Sequence, residues 1–354
     1  MQRRAFIKRM AATLGGFILL SRLPLSSADN GHENAAPPHL PWPYTRLDPE
    51  ETRKLGHLGY YLFECAGGAF WSIAVQLREK IGYPWTLLPI PSREEAMEAV
   101  REGKHLHSLF QYGYGGAVGW GTLCGALNGS LAIIQMVVGE HKHWDALGKK
   151  LMRWYESTPL PSDKSNEYAV KGMMYVPKEK MKSTKWLPSN ISGSTLCHVS
   201  VGKWCEISGY ASGSKERSER CGRLTGDVAA MTVQLLNTYF EKGLSAALAL
   251  AADVRLSPTT ASCRVCHYKG KDYEAGQFTR GYLACESCHR DMRPHAHTFV
   301  SLGGGHGEAG LKGPSWARDL AIAGLGAAAA AGVAAGVLAG SGSREDRGEE
   351  EKEG

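Results

Sequence analysis

The sequence predicts a mainly α-helical chain: a helical cysteine-bearing domain, then a loop-rich segment with paired cysteines, then an apolar C-terminal helix. Three observations predict it. Apolar residues recur at helical spacing, helix-start signatures stand at the heads of those stretches, and strand-like alternation is scarce. The length of 354 residues gives ample material for a core, and the hydrophobic content of 43% and charged content of 21% are ordinary for a globular protein. The 43 glycines are not ordinary, and neither are the two ends of the chain.

Residues 1–28 read as a twin-arginine export signal. Arg3-Arg4 lead into an apolar stretch from Ala11 to Leu20, and Ser26 and Ala28 supply the small residues of a cleavage site. Removing them takes away five positive and no negative charges (Arg3, Arg4, Lys8, Arg9, Arg22), so a net +6 becomes +1. The basic balance of the precursor therefore gives no case for nucleic acid as a partner. Residues 29–45 are proline-rich and read as an extended arm.

The helical domain is expected over 46–254. Asp48-Pro49-Glu50-Glu51 is a helix start, with Asp as N-cap and Pro in the first turn, and Leu55, Leu58, Leu62 and Cys65 keep the period. Ser92-Arg93-Glu94-Glu95 is a capping box that opens a short helix ending near Gly103. Residues 113–139 carry no charge, and their glycines predict a buried helix with Gly121, Gly125 and Gly129 on one face. Another backbone or a flat cofactor can approach that face closely. Residues 143–157 pair an apolar stripe (Trp144, Leu147, Leu151, Trp154) with lysines opposite. Thr225 to Lys242 predicts a further amphipathic helix, and 243–254 another. Residues 149–223 carry 14 Lys+Arg against 7 Asp+Glu, which reads as a solvated face, a docking patch for an acidic partner, or compensation for anionic cofactor groups.

The chemistry concentrates at 255–300. Cys263, Cys266, Cys285 and Cys288 form C-x2-C-x18-C-x2-C, which satisfies the spacing of a four-cysteine zinc ribbon. Yet His267 and His289 each follow the second cysteine of a pair directly. Zinc has no use for them there. Covalent haem c needs that pattern: two thioethers, and the histidine as axial iron ligand. The export signal agrees, since such haem is attached outside the cytoplasm. Two haems c are thus expected, held close together by an 18-residue linkage. His105, His107, His295 and His297 are candidates for the distal side of each iron, and Met292 is a weaker one.

Cys65, Cys124, Cys197, Cys205 and Cys221 remain, the last three in a glycine- and serine-rich region read as loop. Disulfides, unpaired thiols and an iron–sulfur cluster are all open to them. The twin-arginine route, which moves folded proteins, favours the cluster.

ECAGGAFWSIAVQLREKIG, QYGYGGAVGWGTLCGALNG and the single cysteines in GSTLCHVS and ERCGRLTGDVA, followed by two CxxCH units, resemble split-Soret cytochrome c over roughly residues 46–300. The resemblance implies a homodimeric dihaem electron carrier with closely stacked haems and bis-histidine ligation, a distal histidine supplied by the neighbouring subunit in some sites, and an iron–sulfur site. Its four pattern cysteines are Cys65, Cys124, Cys197 and Cys221, and Cys205 is an additional thiol and an alternative ligand.

Residues 301–318 read as a glycine-rich linker and 319–341 as a transmembrane helix, followed by a charged tail at 342–354. The 21 residues of 320–340 lack charge and side-chain hydrogen-bonding groups, and about 20 residues at about 1.5 Å rise cross a bilayer core of roughly 30 Å. The expected product is a membrane-tethered electron carrier on the periplasmic side, serving redox proteins of periplasm or membrane. A haem- or cluster-dependent reductase is the enzymatic alternative. No Ser-His-Asp set, P-loop or catalytic carboxylate pair stands out.

Overall fold

Two long helices set the frame of the structure, a computed structural model that describes residues 38–289. Pro38–Leu40 belong to a separate leading segment, and the body below begins at Pro41. The export signal, the start of the arm, Met292, His295, His297, the linker, the apolar stretch 320–340 and the charged tail lie outside the described residues.

Helix α1 (Pro49–Ile81) starts where expected: the Asp48 side chain accepts from the Glu50 amide, and Pro49 fills the first turn. It is broken once, at Glu64, whose φ of 60° and ψ of −174° lie outside the helical region. Such a conformation costs a non-glycine residue on the order of 1–3 kcal/mol. The break reorients the chain immediately before Cys65. Helix α7 (Lys215–Leu248) packs along α1, and the two approach closely at a glycine pair. A Cβ on Gly56 would stand 2.9 Å from Gly226 Cα, and one on Gly226 would stand 2.4 Å from the Arg53 carbonyl oxygen.

Around this pair stand α2 (Arg93–Glu102), α3 (Gly125–Val137), α4 (His141–Ser157), α5 (Asp163–Lys171) and α6 (Cys197–Ser208). The Ser92 capping box closes at both ends, and α2 stops at Gly103 in the left-handed region. Gly129 lets α3 lie against α1, since a Cβ there would meet the Ala66 carbonyl oxygen at 2.1 Å. Leu147 and Leu151 of α4 are fully buried, and Trp144 and Trp154 pack partly buried against the core. Helix α5 is tied to α7 by Asp227, which accepts from the Ser162 amide at 2.7 Å and the Ser165 hydroxyl at 2.7 Å and pairs with Arg53.

Three sequence expectations change. The uncharged stretch 113–139 is helical only from Gly125 onward, because Gly115, Gly116, Gly119 and Gly121 adopt positive φ. Gly121 therefore leaves the expected glycine face and sits in a loop against His198. The region containing Cys197 and Cys205 is helix α6, not loop. Residues 225–242 belong to one helix that runs on to Leu248 across a break at Gly243.

Among the described residues the architecture is helical, with isolated bridges in place of strands. No described helix is long and apolar enough to cross a membrane. The described chain after α7, up to His289, is loop-rich, as expected, with one short α-helix, α8 (Pro258–Cys263).

Candidate functional site: a cysteine chamber and two CxxCH turns

Cys65, Cys124, Cys197 and Cys221 come from four helices and line one small chamber of about 60 Å³. Each is delivered by a local device. Cys65 follows the break at Glu64, and Cys124 is the N-cap of α3. Cys197 is the first residue of α6, and Cys221 lies in the second turn of α7. Two backbone bonds lock the loops that carry Cys124 and Cys197: Cys124 N donates to Thr195 O at 2.9 Å, and Cys197 N donates to Thr122 O at 2.7 Å. Leu123 and Leu196 pair across the same bridge. Gly125 is required here, because a Cβ would stand 2.3 Å from Cys65 Sγ.

The chamber is buried and positively biased. Arg220 is 2% exposed; it donates from Nη2 to Ser200 Oγ at 2.8 Å and reaches Cys221 Sγ from Nη1 at 3.9 Å. Its Nε–H has no partner. Arg217, Tyr60, Glu64 and Tyr155 complete the wall. Burial pushes the Cys65 and Cys124 thiols up, and burial followed by the neighbouring Cys124 and Cys221 pushes Cys197 up to about 12. Four thiols this close oppose one another's ionisation, whereas a bound cation favours all four thiolates together. As they stand, no three His, Cys, Asp or Glu side chains among the described residues have metal-holding geometry. Cys205 lies two turns along α6 and does not line the chamber.

The sequence does not single out Arg220 or Tyr155. The only signal is the position of Arg217 and Arg220 beside Cys221 in KERSERCGR, inside the basic stretch. Part of that stretch turns inward: Lys150, Arg220 and Arg223 are buried.

The two CxxCH units share one backbone form. His267 N donates to Cys263 O at 2.9 Å, and His289 N donates to Cys285 O at 2.9 Å, so each unit is a single helical turn. Thr260 joins them, its hydroxyl accepting from the Cys285 amide at 2.8 Å and donating to Glu286 at 2.8 Å. Burial, then the neighbouring Cys285, pushes the Cys263 thiol up, while Cys266 and Cys288 are exposed. The His267 Nδ1 lies 3.2 Å from the Gly276 carbonyl oxygen, so it serves as the donor there and Nε2 is left with a lone pair. His105 and His107 stand exposed on the loop after α2.

Over 264 residues the chain is 31% identical to the split-Soret cytochrome c of Desulfovibrio desulfuricans (strain ATCC 27774 / DSM 6949 / MB), covering 73% of this chain and 81% of that one. The chain belongs to the split-Soret cytochrome c family. Residues 96–235 also match a family described as "Putative redox-active protein (C_GCAxxG_C_C)". Here the central block reads Cys124-Gly125-Ala126-x-x-Gly129, with cysteine and glycine exchanged. A solved structure, described as a novel iron centre in the split-Soret cytochrome c from the same organism, superposes with a TM-score of 0.55 at 33% identity, covering 70% of this chain and 90% of the other.

Proposed function

We propose that this protein is an exported electron-transfer protein carrying two haems c and an iron–sulfur centre. Cys263 and Cys266 attach one haem and Cys285 and Cys288 the other, with His267 and His289 as proximal ligands. Cys65, Cys124, Cys197 and Cys221 hold the iron–sulfur centre, with Cys205 outside it. Both groups supply one-electron exchange at iron. The carrying observation is the shared CxxCH turn, which presents two thiols and a following histidine from one helical turn, with His267 Nδ1 engaged by Gly276 O.

The residues of the chamber fit a thiolate-bound iron group. Arg220 and Arg217 offset the negative charge of four thiolates, and the unpartnered Arg220 Nε–H supplies a hydrogen bond toward sulfur. The wall of Leu224, Val201 and Tyr155 limits water at the site.

The distal ligands are sought among His105, His107, His295 and His297, and a distal histidine from a second copy makes the protein a homodimer. Residues 320–340 tether it to the periplasmic face of the membrane, where its partners are redox proteins.

Optical spectra of the purified protein test the carrier reading. A reduced low-spin c-type spectrum that added carbon monoxide leaves unchanged is expected. A carbon monoxide adduct would show an open iron and turn the assignment toward a reductase.

A further inference from the structure

A second cavity, of about 860 Å³, lies between α3 and α4 and is closed by the loop leading into the second CxxCH unit. Its lining is largely apolar: Leu131 and Met136 from α3, Trp144 and Met152 from α4, and Tyr282 and Leu283 from the loop. The volume is several times larger than the cysteine chamber and falls in the range of cofactor sites. Leu283 is two residues from Cys285. A group bonded to Cys285 thus starts two residues along the chain from the cavity wall.

Four charged side chains line the cavity, all from α4. Asp145 pairs with Lys149 at 2.6 Å, and Arg153 pairs through Nη1 with Glu156 at 2.7 Å. Lys149 also stands over the Tyr282 ring at 5.4 Å from its centre. After these pairs Arg153 keeps a buried Nε–H without a partner. A buried donor left unsatisfied is costly, so it marks a missing acceptor. Gly148 lies between Asp145 and Lys149 in sequence and lines the cavity, and a Cβ there would come within 2.9 Å of Leu131 Cδ2.

We propose that this cavity receives the haem attached at Cys285 and Cys288, and that Arg153, with Lys149, binds one of its propionates. The inference rests on the dihaem assignment above and adds the location of the second haem and its charge partners. The Leu123–Leu196 bridge, whose residues line this cavity, directly precedes Cys124 and Cys197, so one stretch of backbone separates the second haem from the cysteine chamber.

Arg153→Gln, Arg153→Lys and Gly148→Leu in the holoprotein test it, read by haem-resolved redox titration. Loss of the Arg153 charge disfavours the extra electron. In Arg153→Gln the reduced-to-oxidised ratio of one haem at fixed poise is expected to fall about tenfold, which is about 59 mV for one electron. The other haem stays unchanged. Arg153→Lys, which keeps the positive charge, is expected to restore most of the shift, and Glu156→Gln, which removes the salt bridge but keeps Arg153, is expected not to lower that potential. Gly148→Leu is expected to leave one covalent haem in place of two. Both potentials unmoved in Arg153→Gln, with two haems attached, overturn the inference while leaving the dihaem assignment standing. Xenon bound in this cavity in pressurised crystals of the holoprotein also overturns it. A chain with no covalent haem defeats the dihaem assignment itself.

Discussion

The cysteine chamber and the CxxCH segment are built in opposite ways. The chamber gathers Cys65, Cys124, Cys197 and Cys221 from positions up to 156 residues apart, on packed helices and behind buried side chains. The CxxCH segment is local: its four cysteines and two histidines span 263–289, and Cys266, Cys288 and His289 are exposed. The first site is positioned by the fold. The second has little covering it among the described residues, and the proposed haems would be its packing partners.

The comparison breaks most clearly by removing one site at a time. Cys124→Ser is expected to abolish bound non-haem iron and leave two covalent haems, as read by metal analysis and haem-stained gels. Cys263→Ser with Cys266→Ser does the reverse, losing one haem and keeping the non-haem iron. Joint loss in either variant would show that the two sites assemble as one.

A sharper measure concerns the buried network that holds α1 to α7 beneath the chamber. The Glu219 carboxylate lies 2.9 Å from His57 Nε2 and accepts from Arg223 Nε at 3.0 Å and from the Tyr61 hydroxyl. Glu219→Gln removes the charge that pairs with a fully buried Arg223 and is expected to cost about 3–5 kcal/mol in urea unfolding. The double substitution at Cys263 and Cys266 should cost less.

Acid probes the same network. Burial alone would raise the Glu219 carboxyl, but His57, then Arg223 and Tyr61, outweigh it and hold the group at about 2. Its unfolded value is about 4.3. The depressed folded value means stability is present above the unfolded value and is lost as pH falls from about 4.3 toward about 2, on the order of 3 kcal/mol. Glu219→Gln should flatten that part of the stability–pH curve.

Gly226→Ala forces a Cβ against the Arg53 carbonyl and is expected to cost about 1–3 kcal/mol. Ser92→Ala removes one end of a capping box far from both sites and should cost about 1 kcal/mol without changing either metal content.

What the sequence reveals follows the same division. The CxxCH units are contiguous, so the haem expectation comes directly from their residues and spacing, and the caps at Asp48 and Ser92 are legible because a cap is a local signal. The chamber needed a resemblance to group its four cysteines, because no local pattern joins Cys65 to Cys221. The helix carrying Cys197 and Cys205 was hidden by its serines and glycines, and its register is fixed by contacts such as Trp204 Nε1 donating to Pro188 O at 2.8 Å. Arg220 could not be separated from its solvated neighbours, since burial is decided by the packing of α7 and not by residue type. The shift of the glycine stretch from helix to loop has the same origin: glycine allows both, and the bonds of Gly121 and Thr122 back to Gly115 and Gly116 choose the loop.

Intact-mass measurement of the mature protein under denaturing conditions tests the central claim most directly. The account predicts the polypeptide mass after removal of the export signal plus two covalently retained haems. A mass equal to the bare polypeptide, with four free or zinc-bound thiols at Cys263, Cys266, Cys285 and Cys288, would contradict it.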